Sequence, residues 1–411
     1  MPAAQTRESR HSHPPIAAAV PPLFLGTAAF NSQYNADPFA LPVNDIVSAF
    51  LNFGSHTTAP PPSTDADESS IVRPRVGFDT SPYYGPAELL LGRALAASSA
   101  PRSSYFLSTK AGRISSTTFN LSPSWLRHSV HRSLKRLKTD YIDLIYVHDV
   151  EFVTPAEVLT AVLTLRKLRD EGLVRYIGIS GFPVAILCKL ATLVLRATGE
   201  PLDAVLSYAN YTVQNTRLAT EGVRRLLLDA RVGCIVNGSL LGMGLLRSSG
   251  VPVGAMGDFH PAGQALRRAC ADAAKTVTAR GGKLEDVAYR WALENWTDAA
   301  KTITATSDAT DGAPRTGVSV MGVSYLPELH AILKIYTDVL AAAAGDAAAL
   351  ARKTANNTLA DELKTLFGER YDEVWESPGA DFARGEMKVE YWRSDDELWP
   401  QLQKSSSAKL A

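Results

Sequence analysis

The sequence is poor in the residues that cross-link small folds: Cys188, Cys234 and Cys270 are its only cysteines in 411 residues. Their number and spacing suit neither a disulfide framework nor a zinc site, so they read as packing thiols in a reducing compartment, and no metal is expected. Charge of one sign is also lacking, because 42 Lys and Arg stand against 42 Asp and Glu. Nothing in that balance recruits nucleic acid or an anionic membrane, which leaves a small or neutral partner. No apolar run is long enough to span a bilayer, and the opening MPAAQTRESRHSHPP has no apolar core of the kind a secretory signal needs. The expectation is a cytoplasmic protein with a disordered tail over residues 1–20. A G-x-G-x-x-G after an early strand is missing as well: Gly242-Met243-Gly244 lacks the third glycine. That weighs against a doubly wound dinucleotide-binding sheet.

What is present is a repeat. Short apolar runs, LFLGTAAF, VGFDTS, YFLSTKAG, DLIYVHD, YIGISG, AVLSYANY, CIVNGSLL and VSVMGVS, alternate with segments of helical period such as VNDIVSAFLNF, SWLRHSVHRSLKRLK and LATEGVRRLLLDA. Eight strand–helix units in succession predict an α/β chain folded as a (β/α)₈ TIM-type barrel over residues 21–411. Two polar stretches, near residues 56–72 and 297–316, interrupt the repeat and read as surface insertions. From about residue 341 an Ala-rich helix and a polar end with Trp375, Tyr391, Trp392 and Trp399 form an extension expected to pack on the barrel.

Barrel enzymes carry their reactive groups just past the strands. Asp79 ends VGFD, Tyr84 follows in TSPYYG, Lys110 ends YFLSTK and His148 ends DLIYVH. Singly, each admits a structural role; together, after strands two, three and four, they compose a site. A buried lysine needs a carboxylate, which Asp79 can supply. A tyrosine beside that ammonium has its phenolate stabilised, so its pKa is expected to fall from about 10 toward the working range of an acid or base. His148 can hold the substrate oxygen or relay its proton.

The segments FDTSPYYGPAELLLGRAL, STKAG, YVHD and YIGISG resemble the signature stretches of the aldo-keto reductase family, over most of the chain from Leu23 to Leu340. Within it, LFLGTAAFNSQYNADP, VLSYANYTVQN and VNGSLLGMGLL are most similar to the branch that oxidises aldoses such as D-arabinose and L-galactose. The resemblance implies an extended nicotinamide cofactor across the barrel mouth, with Tyr84 as acid/base and Asp79, Lys110 and His148 in support. Hydride would leave C1 of an aldose for NAD, giving an aldonolactone. It also implies cofactor contacts from Gly26 and Thr27 after strand one, Ser180 after strand five, and Ser239, Leu241 and Gly242 after strand seven. The family's Ser-Asn pair is here Ser180-Gly181, and the strand-seven tyrosine that stacks on nicotinamide is absent, so Tyr208 is the candidate to cover that face. Ser324 and Glu328 fall near the adenosine ribose; a carboxylate at a position often occupied by Arg would repel a 2′-phosphate, which favours NAD over NADP. Asn31 and Tyr34 are substrate candidates. Two alternatives stay open, an NADPH-dependent aldehyde or ketone reductase of broad specificity and a regulatory barrel, and the sequence assigns no oligomeric state.

Overall fold

The computed structural model describes residues 13–56, 74–255, 257–304 and 313–375. Eight parallel strands, β1 (Leu23–Gly26), β2 (Val76–Asp79), β3 (Tyr105–Ala111), β4 (Ile142–Val147), β5 (Val174–Gly181), β6 (Ala204–Tyr208), β7 (Cys234–Gly238) and β8 (Thr316–Gly322), close in sequence order, with β1 paired to β8. All eight expected strands are there, and the chain is a TIM-type (β/α)₈ barrel. The helices are α1 (Ile16–Ala19), α2 (Val43–His56), α3 (Ala87–Ala97), α4 (Pro123–Leu137), α5 (Pro155–Asp170), α6 (Val184–Thr198), α7 (Gln264–Thr278), α8 (Leu284–Thr304), α9 (Leu326–Ala343) and α10 (Ala347–Phe367). Their ends are set by local chemistry. Ser122 caps α4 by accepting from the Trp125 amide, with Pro123 in its first turn, and Thr154 and Glu157 form a reciprocal capping box on α5. Between β6 and β7, LATEGVRRLLLDA winds as two π-type turns, Leu218–Gly222 and Arg225–Asp229, instead of a regular α-helix.

Alternation along the strands divides inside from outside. Phe24, Phe106, Leu144, Tyr146, Tyr176, Leu206, Val236, Val318 and Val320 share one cluster within the barrel, whereas Leu25, Phe78, Leu107, Ile145, Ile179 and Ile235 lie in the clusters under the helices. The inward parity continues upward: Phe106 and Tyr176 at the bottom share a face with Lys110 and Ser180 at the top. Of the tail expected over residues 1–20, the described part, from residue 13, packs on the barrel. Ile16 and Val20 are buried in the interior cluster, and the Tyr176 hydroxyl donates to the Pro14 carbonyl at 2.7 Å, so the apolar IAAAV segment closes the bottom of the barrel. Residues 1–12 lie outside the described residues.

The expected insertion at 56–72 falls almost wholly outside the described residues. The one at 297–316 begins inside α8, which runs to Thr304, and its last residue, Thr316, already belongs to β8. Beyond α9, the helix α10 buries Ala360, Leu363 and Phe367 against Leu266, Cys270 and Val287 of α7 and α8. Trp375 stacks on Phe182 at 5.1 Å, whereas Tyr391, Trp392 and Trp399 lie outside the described residues.

Candidate active site

The four strand-end candidates converge at the top of the barrel. Asp79 is the last residue of β2, Lys110 lies in β3 and His148 follows β4. Tyr84 reaches the same point through a turn: its amide donates to the Ser81 carbonyl at 3.0 Å, and Gly85 takes a φ of 57° before α3 begins. The Lys110 ammonium donates to Asp79 Oδ1 at 2.5 Å and to the Thr80 carbonyl at 2.9 Å, and Asp79 Oδ2 accepts from the Ser108 hydroxyl at 2.8 Å. The ammonium also lies 4.8 Å from the Tyr84 ring centroid, close enough for its charge to act on that ring. The carboxylate is thus satisfied by two donors and the lysine by two oxygen acceptors with the Tyr84 ring beside them, which meets most of what a buried ion pair requires.

Proton affinities follow from this enclosure. Burial would drive Lys110 toward neutrality, but Asp79 and Tyr84 raise its pKa to about 12, and it stays an ammonium. For Tyr84 the expectation of a depressed pKa is corrected: burial outweighs the pull of Lys110, while Asp79 and Asp149 add to the rise, and the phenol is pushed up to about 12. Tyr84 therefore rests as a protonated phenol. Burial also lowers His148 to about 3 against the pull of Asp149, so the ring is neutral. Its Nδ1 lies 3.1 Å from the Ser81 hydroxyl, whose oxygen already accepts from the Tyr83 amide at 3.0 Å. Ser81 donating to Nδ1 satisfies both groups and assigns the ring proton to Nε2. The ring stands edge-on to Tyr84, 5.8 Å between centroids.

One cleft runs from these residues across the mouth toward α9. Gly26, Tyr34, Ser180, Tyr208, Ser239, Leu241, Ser324 and Glu328 line it, together with the four above. Three expected contacts do not. Thr27 is buried behind β1, where its hydroxyl donates to that of Thr80 at 2.7 Å. Asn31 turns inward to accept from the Gln33 amide at 2.7 Å, and Gln33 takes the place in the cleft. Gly242 lies behind the loop with its carbonyl 2.9 Å from His260 Nε2. Loop side chains obey no alternation, so strand parity could not foretell these three. Tyr83, Arg113, Asp149 and Arg247 line the cleft and were not singled out, although Asp149 sits in the YVHD segment beside His148.

The far half of the cleft suits a dinucleotide. Leu240 and Leu241 line it, and among the described residues their amides take no internal acceptor, so they can serve phosphate oxygens. Arg247 adds a cation, bound to Glu328 Oε1 at 3.0 Å, while Glu328 Oε2 accepts from the Ser324 amide at 2.8 Å at the start of α9. Glu328 is therefore not a lone carboxylate.

Residues 22–344 match the sequence model of the Aldo/keto reductase family, and the chain belongs to that family of oxidoreductases, whose members use nicotinamide cofactors. Among its relatives, D-arabinose 1-dehydrogenase of Saccharomyces cerevisiae is 35% identical over 372 residues, 88% of this chain and 94% of the yeast protein. L-galactose dehydrogenase of Arabidopsis thaliana is 36% identical over 243 residues, 57% of this chain and 72% of its own. Among solved structures, the glycerol dehydrogenase of Gluconobacter oxydans superposes with a TM-score of 0.50 at 17% identity, over 86% of this chain and 93% of that one, and so shares the fold.

Proposed function

We propose that the protein is an aldose dehydrogenase, oxidising a cyclic sugar such as D-arabinose or L-galactose at C1 to the aldonolactone with NAD. The observation that carries this reading is the Lys110 ammonium, paired with Asp79, set against the Tyr84 ring beside a neutral His148 on the cleft floor. A bound nicotinamide would accept the hydride that leaves C1. The remaining requirement is removal of the anomeric hydroxyl proton, so that loss of H⁻ and H⁺ converts the hemiacetal carbon to a lactone carbonyl. Tyr84 is the group to take it, in the phenolate form left once the phenol has released its own proton to solvent, a form that the Lys110 ammonium beside it stabilises. His148 donates through Nε2 to the same oxygen and fixes it, and Asp79 holds Lys110 in place. In the reverse direction, the protonated Tyr84 returns the proton to a carbonyl oxygen. Identity with two sugar dehydrogenases over much of their length supports a sugar as substrate.

The residues toward the cofactor would be Ser180 and Tyr208 at its nicotinamide end, Ser239 and Leu241 at the phosphates, and Ser324 and Glu328 at the adenosine, with Tyr34 on the substrate side. Arg247 favours a second reading, a reductase that uses NADPH, because a guanidinium near Glu328 can attract a 2′-phosphate. Initial rates at the nicotinamide absorbance band, with D-arabinose, L-galactose and L-fucose each offered with NAD and NADP, separate the two. Sugar-dependent reduction of NAD well above NADP is the expected result. Consumption of NADPH with simple aldehydes and no oxidation of any sugar would overturn it.

A further inference from the structure

The cleft holds a second buried ion pair that the proton relay leaves unused. Arg113, two residues beyond β3, and Asp149, next to His148, are bonded through Nη1 and Oδ2, and both line the cleft while being more than nine-tenths buried. Arg113 is fixed from every side. Its Nε and Nη2 donate to the carbonyls of Ser115 and Ser116 at 3.2 Å, and its guanidinium lies 4.1 Å from the Tyr83 ring centroid, with Phe119 and Phe152 beyond. Asp149 adopts a left-handed backbone, φ 49° and ψ 61°, which is strained for a residue with a side chain.

Arg113 cancels the charge of Asp149 without exhausting its acceptors. The carboxylate has two oxygens; Oδ2 takes Arg113 and lies 3.5 Å from His148 Nε2, whereas among the described residues no donor reaches Oδ1. An acceptor left open on a buried, already neutralised carboxylate matches an uncharged donor, a hydroxyl, and disfavours an anionic substrate at that point. Its place beside His148 points to which hydroxyl. Asp149 Oδ2 lies 3.5 Å from His148 Nε2, so with a reacting oxygen held by Nε2 the group that meets Asp149 would hang on the carbon adjacent to the reacting one.

We infer that Asp149, oriented by Arg113, accepts a hydrogen bond from the hydroxyl at C2 and so makes the site selective for 2-hydroxylated substrates. The inference rests on the dehydrogenase reading for the identity of the reacting carbon and names a substrate feature that reading leaves undefined. Arg113 is on this account a positioning residue, and Asp149 is the contact.

The test is a cycle in enzyme and substrate. Wild type and Asp149→Asn are compared on D-arabinose and on 2-deoxy-D-ribose, which is D-arabinose without its C2 hydroxyl. Wild type should favour D-arabinose by at least about tenfold in kcat/KM, and the substitution should cost about 10- to 100-fold on D-arabinose but less than about threefold on the deoxy sugar. Equal loss on both substrates, or a wild-type preference below threefold, overturns the inference, and the second result does so even if the variant fails to fold. The same cycle in the reductive direction, glycolaldehyde against acetaldehyde with NADH or NADPH, stands apart from the sugar assignment. Wild type inert toward D-arabinose yet selective for glycolaldehyde, with selectivity lost in Asp149→Asn, would sink the dehydrogenase reading and keep this one. No selectivity in either direction would sink this one alone if D-arabinose is oxidised.

Discussion

The two ends of the barrel are built from the same strands and obey opposite rules. At the bottom, Phe24 meets Phe106 edge-on at 5.7 Å and Phe106 stacks on Tyr176 at 6.1 Å, with Ile16 and Val20 sealing the layer. At the top, Lys110 and His148 continue the inward faces that carry Phe106 and Leu144 four residues earlier. Both ends bury their inward side chains. Below, burial stabilises the fold through apolar contact; above, it penalises charge and shifts proton affinities until partners offset the cost. Desolvation is therefore the shared physical cause of stability at one end and of tuned acid–base groups at the other.

The strongest way to break this comparison is at Tyr84. Removing its hydroxyl as Tyr84→Phe should lower kcat by about 10²- to 10⁴-fold while the dissociation constant for cofactor, read by fluorescence quenching, stays nearly constant. Turnover retained with an unaltered pH profile would remove Tyr84 from the chemistry. The mirror image is Phe106→Ala, expected to cost about 3–5 kcal/mol in urea unfolding with kcat/KM nearly unchanged. Between the two ends sits the Lys110–Asp79 pair, which obeys both rules. Lys110→Met should lose about 3–5 kcal/mol of stability together with activity, because it strands a buried carboxylate, and adding Asp79→Asn should restore stability but no activity.

A pH series sharpens the contrast further. With His148 held down at about 3, neither direction should show an inflection near the ordinary imidazole value of 6.5. Tyr84 lies at about 12, so its basic form is scarce at neutral pH and oxidation should accelerate continuously as pH rises toward that value. Reduction needs the protonated phenol and should stay flat until Tyr84 titrates, then fall. An inflection near neutrality in oxidation alone would mean that a bound cofactor draws Tyr84 down.

Much of this division was legible in the sequence because alternation is a property of strands. The runs VGFD, YFLSTK and DLIYVH announce both where the strands lie and which residues sit at their ends, and period two then puts Lys110 on the face of Phe106. Proton affinity was less legible: the charge next to Tyr84 could be foreseen, but the degree of burial that outweighs it depends on how the loops close. The same limit explains Asn31, Thr27 and Gly242: Asn31 holds its own loop, and the Thr27 hydroxyl and Gly242 carbonyl serve neighbouring loops, instead of the cleft. Arg113 and Arg247 escaped notice because their partners, Asp149 and Glu328, lie 36 and 81 residues away along the chain.

Glu328 gives the smallest and most discriminating test. As an isolated carboxylate it would oppose a 2′-phosphate strongly, but Arg247 offsets its charge, and both side chains are about 30% exposed. A pair so open to solvent is worth about 0–1 kcal/mol, which limits the effect on cofactor choice to roughly fivefold. Glu328→Gln keeps an acceptor for the Ser324 amide and so preserves the start of α9, while freeing Arg247 to meet a phosphate. The expected outcome is a several-fold gain in kcat/KM with NADP relative to NAD and no change in sugar preference. An unchanged cofactor ratio would move the source of discrimination away from the Arg247–Glu328 pair, and a gain exceeding about tenfold would mean that the carboxylate acts unshielded despite its partner.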